Sequence, residues 1–265
     1  IIAHERDIPS FWSKTTKLFY NSIEAIIVIS TATQEAVLRQ SFPSERIKKI
    51  VDGIDIKKII SQSSINNINE IKLNHKLPLD KKIILMIGMI TEWKGQLVVL
   101  KAIKKLKLSR TDLFFVFVGE QPKHSKTNYL QTLHEYISKN NLQDSIIFTG
   151  YYDNVAELIK ASNLVIHTSI KPEPFGRVIV ESMVLEKPVI ATNIGGPLEI
   201  IVDGKTGFLI EPNNPASLAN KISEIIDSPQ EAKVIGRAAK KHALAHYDSK
   251  LVAKEIGALF KQYTK

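Results

Sequence analysis

The chain has 265 residues, of which 44% are hydrophobic and 24% charged, with a net charge of +9 and no cysteine. This composition supports one large or two small buried cores and excludes a fibrous or disordered chain, and the missing cysteines exclude disulfides, thiol nucleophiles and thiolate-bound zinc or iron–sulfur clusters. The basic balance fits an anionic partner, whether nucleic acid, an acidic membrane face or a phosphorylated small molecule, as well as a plain lysine-rich surface.

The opening residues IIAHERDIPSFW lack the basic, apolar and small-residue order of a signal peptide, and no apolar run approaches the roughly 18 residues of a membrane span, so a cytoplasmic setting is expected. EAIIVIS (24–30) reads as a strand, TATQEAVLRQ as a helix, and RIKKIVDGID (46–55) as containing a second short strand. SQSSINNINEIKLNHKLPL (61–79) is polar and Asn-rich, with little apolar periodicity, and reads as a connection between units. From residue 83 short β-branched runs alternate with longer amphipathic ones: IILMIG, LFFVFVG, SIIFTG, LVIHTS, PVIAT and GFLIE. They are continuous rather than alternating in polarity, as expected of parallel strands covered on both faces, and the intervening segments are long enough for helical crossovers. PNNPASLANKISEII starts a helix with Asn214 as cap and Pro215 in the first turn, and two further helices follow. Residues 230–265 hold eight basic residues (Lys233, Arg237, Lys240, Lys241, Lys250, Lys254, Lys261 and Lys265) against three acids.

Candidate chemistry gathers at the ends of the strands. IGMITEWKG (87–95) closes a strand at Gly88 and puts Lys94-Gly95 at the opening of the helix QLVVLKAIKKL. A lysine beside a helix N-terminus, outside the carboxyl end of a parallel strand, suits an anion, although a solvated Lys94 accounts for the spacing equally well. VFVGE repeats the ending at Gly119, which permits either a close ligand or a plain turn. In KPEPFGRVIVES (171–182), Pro174 biases Glu173 toward an extended loop, Phe175-Gly176 begins a helix, and Ile179, Val180, Met183 and Val184 form its buried stripe. Glu181 sits on the flank of that helix, where a part-buried carboxylate needs a partner: ligand hydroxyls, or Arg177 four residues earlier in a pair worth about 0.2 to 0.5 kcal/mol. Gly195-Gly196-Pro197 clears side chains from another strand-end loop that can offer N–H groups to phosphate or sugar. Glu199 either contacts polar substrate groups or simply occupies a first helical turn, where an acid is favourable. His4 lies in a strand-to-loop context, whereas His167 within a strand reads as a packed or hydrogen-bonded core group. No metal-site spacing is present, and basic residues are not interleaved with aromatics as nucleic-acid binding requires.

Taken together, KPEPFGRVIVES, GMITEWKG, VFVGE, NIGGPLEIIVDGKTGFLI and IKKIVDGID closely resemble the retaining nucleotide-sugar glycosyltransferases of family 4, which have the GT-B architecture. The resemblance implies an α/β fold: a Rossmann-like parallel sheet with helices on both faces over residues 81–248, preceded by the tail of an N-terminal acceptor domain (1–60) and an interdomain linker (61–80). The last helix (249–265) is expected to cross back to the first unit, and most of the acceptor domain to lie upstream of Ile1. The implied donor is a UDP-, GDP- or ADP-sugar, used without cofactor or metal, and the implied acceptor is a glycan, lipid-linked or other hydroxyl in cell-envelope or polysaccharide synthesis. Lys94 would hold the donor diphosphate, while Met89 stands where arginine is usual. Glu173 would contact hydroxyls of the transferred sugar, the backbone at Phe175 and Gly176 would reach sugar and phosphate, and Glu181 would accept hydrogen bonds from the ribose. FTGYYDNV would flank the base. Gly88 and Gly119 would border the donor. Retention is expected through front-face attack, with Glu173 orienting rather than attacking, and the basic C-terminal helices are expected to touch an anionic membrane face. Two alternatives stand beside this reading: a non-catalytic nucleotide-sugar module, favoured by Met89, and another sugar-phosphate enzyme of the same architecture, such as an epimerase or phosphorylase.

Overall fold

The computed structural model of the chain describes residues 1–65, 67–125 and 127–263; Lys265 of the basic C-terminal group lies outside them. The first unit runs β1 (Ile2–Glu5), α1 (Lys14–Asn21), β2 (Ala25–Val28), α2 (Thr31–Leu38) and β3 (Ile47–Lys49), followed by α3 (Ile56–Gln62) and α4 (Ile68–Asn74). The second runs β4 (Lys82–Ile87), α5 (Gln96–Leu106), β5 (Leu113–Val118), α6 (Tyr129–Lys139), β6 (Ile146–Gly150), α7 (Val155–Ala161), β7 (Leu164–His167), α8 (Arg177–Val184), β8 (Val189–Thr192), α9 (Pro197–Ile200) and β9 (Phe208–Ile210). Three helices close the chain: α10 (Pro215–Asp227), α11 (Pro229–His246) and α12 (Ser249–Tyr263).

All strands in both sheets pair in parallel, in the orders β1-β2-β3 and β6-β5-β4-β7-β8-β9. The larger sheet is Rossmann-like, with a separate apolar core on each face. Ile84, Met86, Phe115 and Phe117 pack into one core, and Ile83, Leu85, Val116 and Val118 into the other. Successive side chains on a strand point to opposite faces, so a sheet buried on both sides demands the unbroken apolar runs seen in the sequence. The strand order reverses between β4 and β7, and the loops after these two neighbours meet at their carboxyl ends, where open α/β sheets receive ligands.

The small sheet buries one face under Trp12, Val37 and Phe42, with Trp12 stacked on Tyr20 at 4.0 Å between centroids. Its other face, including Ile27 and Ile50, is covered by Val252 and Leu259 of α12. The last helix therefore packs on the first unit. The turn into α12 is fixed by backbone hydrogen bonds from Ile54 N–H to the Tyr247 carbonyl (2.8 Å) and from Ser249 N–H to the Ile54 carbonyl (3.0 Å).

The segment read as a connection between units contains α4, a helix its sequence did not signal. Asn67 accepts from Asn69 N–H and Glu70 N–H as its N-cap, and Ile71 is fully buried. A helix of seven residues with few apolar positions shows almost no periodicity, and its contacts with α7 rather than its own sequence stabilise it. α1 was also not anticipated, since none of its residues is buried.

Candidate functional site

The loops after β4 and β7 are tied together before any site is formed. Ile170 N–H donates to the Trp93 carbonyl (2.7 Å), and the Thr168 hydroxyl donates to the Lys94 carbonyl (3.2 Å). Gly95 caps α5 in the left-handed region at φ +81°, and a Cβ there would lie 2.1 Å from the Thr168 carbonyl oxygen. The sequence reading placed Lys94 at the helix opening. The structure places it at the end of a 3-10 turn over Glu92–Lys94, with α5 starting at Gln96.

Three donors converge on one oxygen of Glu173. Lys94 Nζ lies 2.6 Å, Ser169 Oγ 3.0 Å and His167 Nε2 3.2 Å from Oε2. The Lys94 ammonium also sits 4.1 Å from the centroid of the Trp93 ring. Burial by itself would raise the Glu173 carboxyl, but the hydrogen bond and charge of His167 and the Lys94 ammonium outweigh it and hold the group at about 2. Glu173 is thus a fixed carboxylate and a very weak base. His167, read as a packed or hydrogen-bonded core group, is buried and forms part of this cluster; its Nδ1 has no hydrogen-bond partner among the described residues.

Glu173 is held from behind by the glycine pair. Its carbonyl accepts from Gly196 N–H (2.7 Å), and it forms a bridge with Gly195. Gly195 has φ +75°, and a Cβ would lie 2.4 Å from the Glu173 carbonyl oxygen; at Gly196 a Cβ would lie 2.3 Å from that of Phe175. These glycines therefore permit two backbones to touch and support the loop that carries Glu173. Gly119 is absent from the lining of the cleft around Glu173: its N–H donates to the Gly150 carbonyl, and a Cβ would meet the Gly88 carbonyl at 2.1 Å. Glu199 stands in the first turn of α9, as one of its two readings expected. Its carboxylate accepts from Thr31 N–H (2.6 Å) and pairs with Lys49 Nζ (2.8 Å), which pins α9 to the small sheet.

Gly88, Met89, Lys94, His167, Glu173, Phe175 and Gly176 share a cleft of about 560 Å³ with Arg6 and Asp52 of the first unit. Gly176 is the cap of α8, and Ile179, Val180, Met183 and Val184 are buried, as their spacing predicts. Glu181 opens on an adjoining cavity of about 200 Å³, lined also by Asp55, Lys58 and Gln62 and by Asp153 and Val155 of the segment expected to flank a base. Burial pushes the Glu181 carboxyl up, against a weaker pull from Arg177, whose Nε is 3.9 Å away. The residues that sequence reasoning missed are Arg6 and Asp52, paired at 2.5 Å across 46 positions. Both lay in stretches quoted for other reasons, and no local pattern signals a contact between them. Among the described residues there is no group of three or more metal-ligating side chains, and no helix is long and apolar enough to cross a membrane.

Comparison with known proteins sets this geometry in context. An uncharacterized glycosyltransferase of Methanocaldococcus jannaschii is 27% identical over 259 residues, covering 95% of this chain and 62% of its own length. A capsular polysaccharide biosynthesis glycosyltransferase of Staphylococcus aureus is 22% identical, covering 91% of this chain and 62% of its own. The chain thus spans about three fifths of each of these relatives. The crystal structure of Anabaena HepE in complex with UDP-glucose superposes with a TM-score of 0.89 at 28% identity, covering 98% of this chain and 72% of that one. The family model for glycosyl transferases group 1 matches residues 67–242. That match overturns the family 4 assignment, because strand-end glycines and paired acids mark the architecture and not its finer subdivision. The chain belongs to the glycosyl transferases group 1 family.

Proposed function

We propose that the cleft between the two sheets binds a nucleoside-diphosphate sugar and that the protein transfers the sugar to an acceptor hydroxyl. The observation that carries this reading is the convergence of Lys94, Ser169 and His167 on a single oxygen of Glu173 at the point where the strand order reverses, next to the separate cavity of Glu181. All three contacts fall on Oε2, so the carboxylate is locked in orientation while it presents a fixed acceptor to sugar hydroxyls. The ribose binds at Glu181. UDP-glucose is the first donor to test, since HepE was crystallised with UDP and UDP-glucose.

The chemistry follows from charge. Cleavage of the glycosidic bond leaves positive character on the sugar ring and adds negative charge to the departing diphosphate. An ammonium has three N–H donors, so Lys94 can hold Glu173 and a phosphate oxygen at once. A fixed cation at the leaving group stabilises the transition state without reorganisation. A carboxylate held near 2 is a poor base, which favours an orienting role for Glu173; the leaving phosphate then takes the acceptor proton, and configuration is retained. The acceptor is a glycan or lipid-linked hydroxyl in envelope or polysaccharide synthesis, in keeping with the capsular relative. Exposed Lys233, Arg237, Lys241, Lys250 and Lys254 on α11 and α12 support a peripheral attraction to anionic lipid at a cytoplasmic membrane face. Calorimetric titration with UDP-glucose, together with an NMR assay of UDP release and anomeric configuration, tests the proposal. Absence of any nucleotide-sugar binding rejects it.

A further inference from the structure

Arg177 stands where the two cavities meet. Among the described residues it is the one that lines both the cleft of about 560 Å³ holding Lys94 and Glu173 and the cavity of about 200 Å³ holding Glu181. Its side chain is 51% exposed, and its ionic contacts are long: Nη1 to Asp52 Oδ2 at 3.5 Å and Nε to Glu181 Oε1 at 3.9 Å. A guanidinium has five N–H donors in a planar fork, so these two contacts leave most of its capacity unused. Asp52 does not depend on it, because Arg6 Nη2 holds the same Oδ2 at 2.5 Å. Arg177 can leave Asp52 without depriving that acid of its partner.

Apart from Arg6, which is paired with Asp52, the rest of the cleft is short of positive charge. Met89, at the end of β4, is 51% exposed and neutral, and the Lys94 ammonium is already drawn to Glu173. Under the donor reading, a sugar at Glu173 and a ribose at Glu181 oblige the linking diphosphate to pass the boundary between the cavities. A diphosphate carries at least two negative charges, and one shared ammonium does not neutralise them.

We infer that Arg177 is the second cation of the donor site, moving from Asp52 to grip the diphosphate with its guanidinium fork. The inference rests on the donor reading and adds to it the residue that selects diphosphate-bearing nucleotides. A fork matches two phosphate oxygens in a way that a point charge does not, so lysine is only a partial substitute. The Arg6–Asp52 pair then serves as the resting place of the guanidinium when no donor is bound.

The test is calorimetry with UDP and with uridine on the wild type, Arg177→Ala, Arg177→Gln and Arg177→Lys, at two salt concentrations, with thermal unfolding as the folding control. The expected result is uridine affinity within about twofold of wild type in every variant, and UDP affinity weakened on the order of tenfold or more in the alanine and glutamine variants. Arg177→Lys should recover part of the loss, and the salt dependence of UDP binding should flatten in the neutral variants. UDP affinity unchanged in both neutral variants, or equal losses for UDP and uridine, overturns the role of Arg177 and leaves the donor reading intact. A wild-type protein that binds neither ligand overturns both.

Discussion

Lys94 Nζ and Glu173 Oε2 lie 2.6 Å apart, although 79 positions separate the two residues in the chain. The pair is mostly buried, with side-chain exposures of 14% and 10%. It joins the loop after β4 to the loop after β7, so a cation and an acid that the sequence offers as separate ligand contacts form a single unit.

Lys94→Ala therefore removes both the proposed leaving-group cation and one of the three partners that hold Glu173. Turnover of a nucleotide sugar is expected to fall on the order of 10²- to 10³-fold, with UDP binding weakened far more than uridine binding. Steady-state kinetics and calorimetry check this. Equal losses for UDP and uridine would count against a phosphate role for Lys94.

Replacing Glu173 with glutamine leaves a buried ammonium without its acid, an imbalance that typically costs about 3 kcal/mol or more. The melting temperature should fall, and turnover should drop while UDP itself still binds, because the acid is assigned to the sugar. Thermal unfolding with and without UDP separates the two effects. Loss of UDP binding in a folded Glu173→Gln protein would move the acid to the nucleotide.

The two acids have opposite pH signatures. The Glu173 carboxyl is depressed from 4.5 to about 2 by its partners, so its stabilisation is complete above the unfolded value and is lost as pH falls from about 4.5 toward 2. The Glu181 carboxyl is raised by burial, so the folded state binds its proton more tightly, and stability declines as pH rises from 4.5 through the raised value. Glu181→Gln is accordingly expected to raise the melting temperature at neutral pH while weakening uridine affinity. A variant that loses stability at pH 7 would show that Glu181 is well compensated by Arg177.

Gly195→Ala tests the support behind Glu173. A methyl group 2.4 Å from the Glu173 carbonyl oxygen, on a residue at φ +75°, forces the loop apart. Destabilisation above about 1 kcal/mol is expected, together with lost turnover. A crystal structure with the Lys94–Glu173 distance unchanged would show that the loop tolerates the side chain.

What was legible in the sequence follows burial. Strands such as LFFVFV stand out because both faces are covered, and the buried stripe of α8 stands out because its helix has one apolar side. α1 and α4 did not, since each is short and is fixed by neighbours distant in sequence. At the site, Lys94, Glu173 and Glu181 were visible as residue types in strand-end loops. Their division between two cavities was not, because it depends on where Arg177 projects from the first turn of α8. Glu199 shows the limit most plainly: its place in a first helical turn was legible, and its partners Thr31 and Lys49, some 150 positions or more away, were not.

The seating of α12 on β2 has a consequence for biosynthesis. Ile27 is made before Val252 and Leu259, which cover it and lie more than two hundred residues further along the chain. As the polypeptide emerges from the ribosome, one side of the small sheet stays bare until α12 arrives, while the large sheet can close on its own contacts. Exposed apolar strands in a waiting intermediate invite aggregation, so slow translation or a premature stop before α12 endangers the small sheet more than the large one.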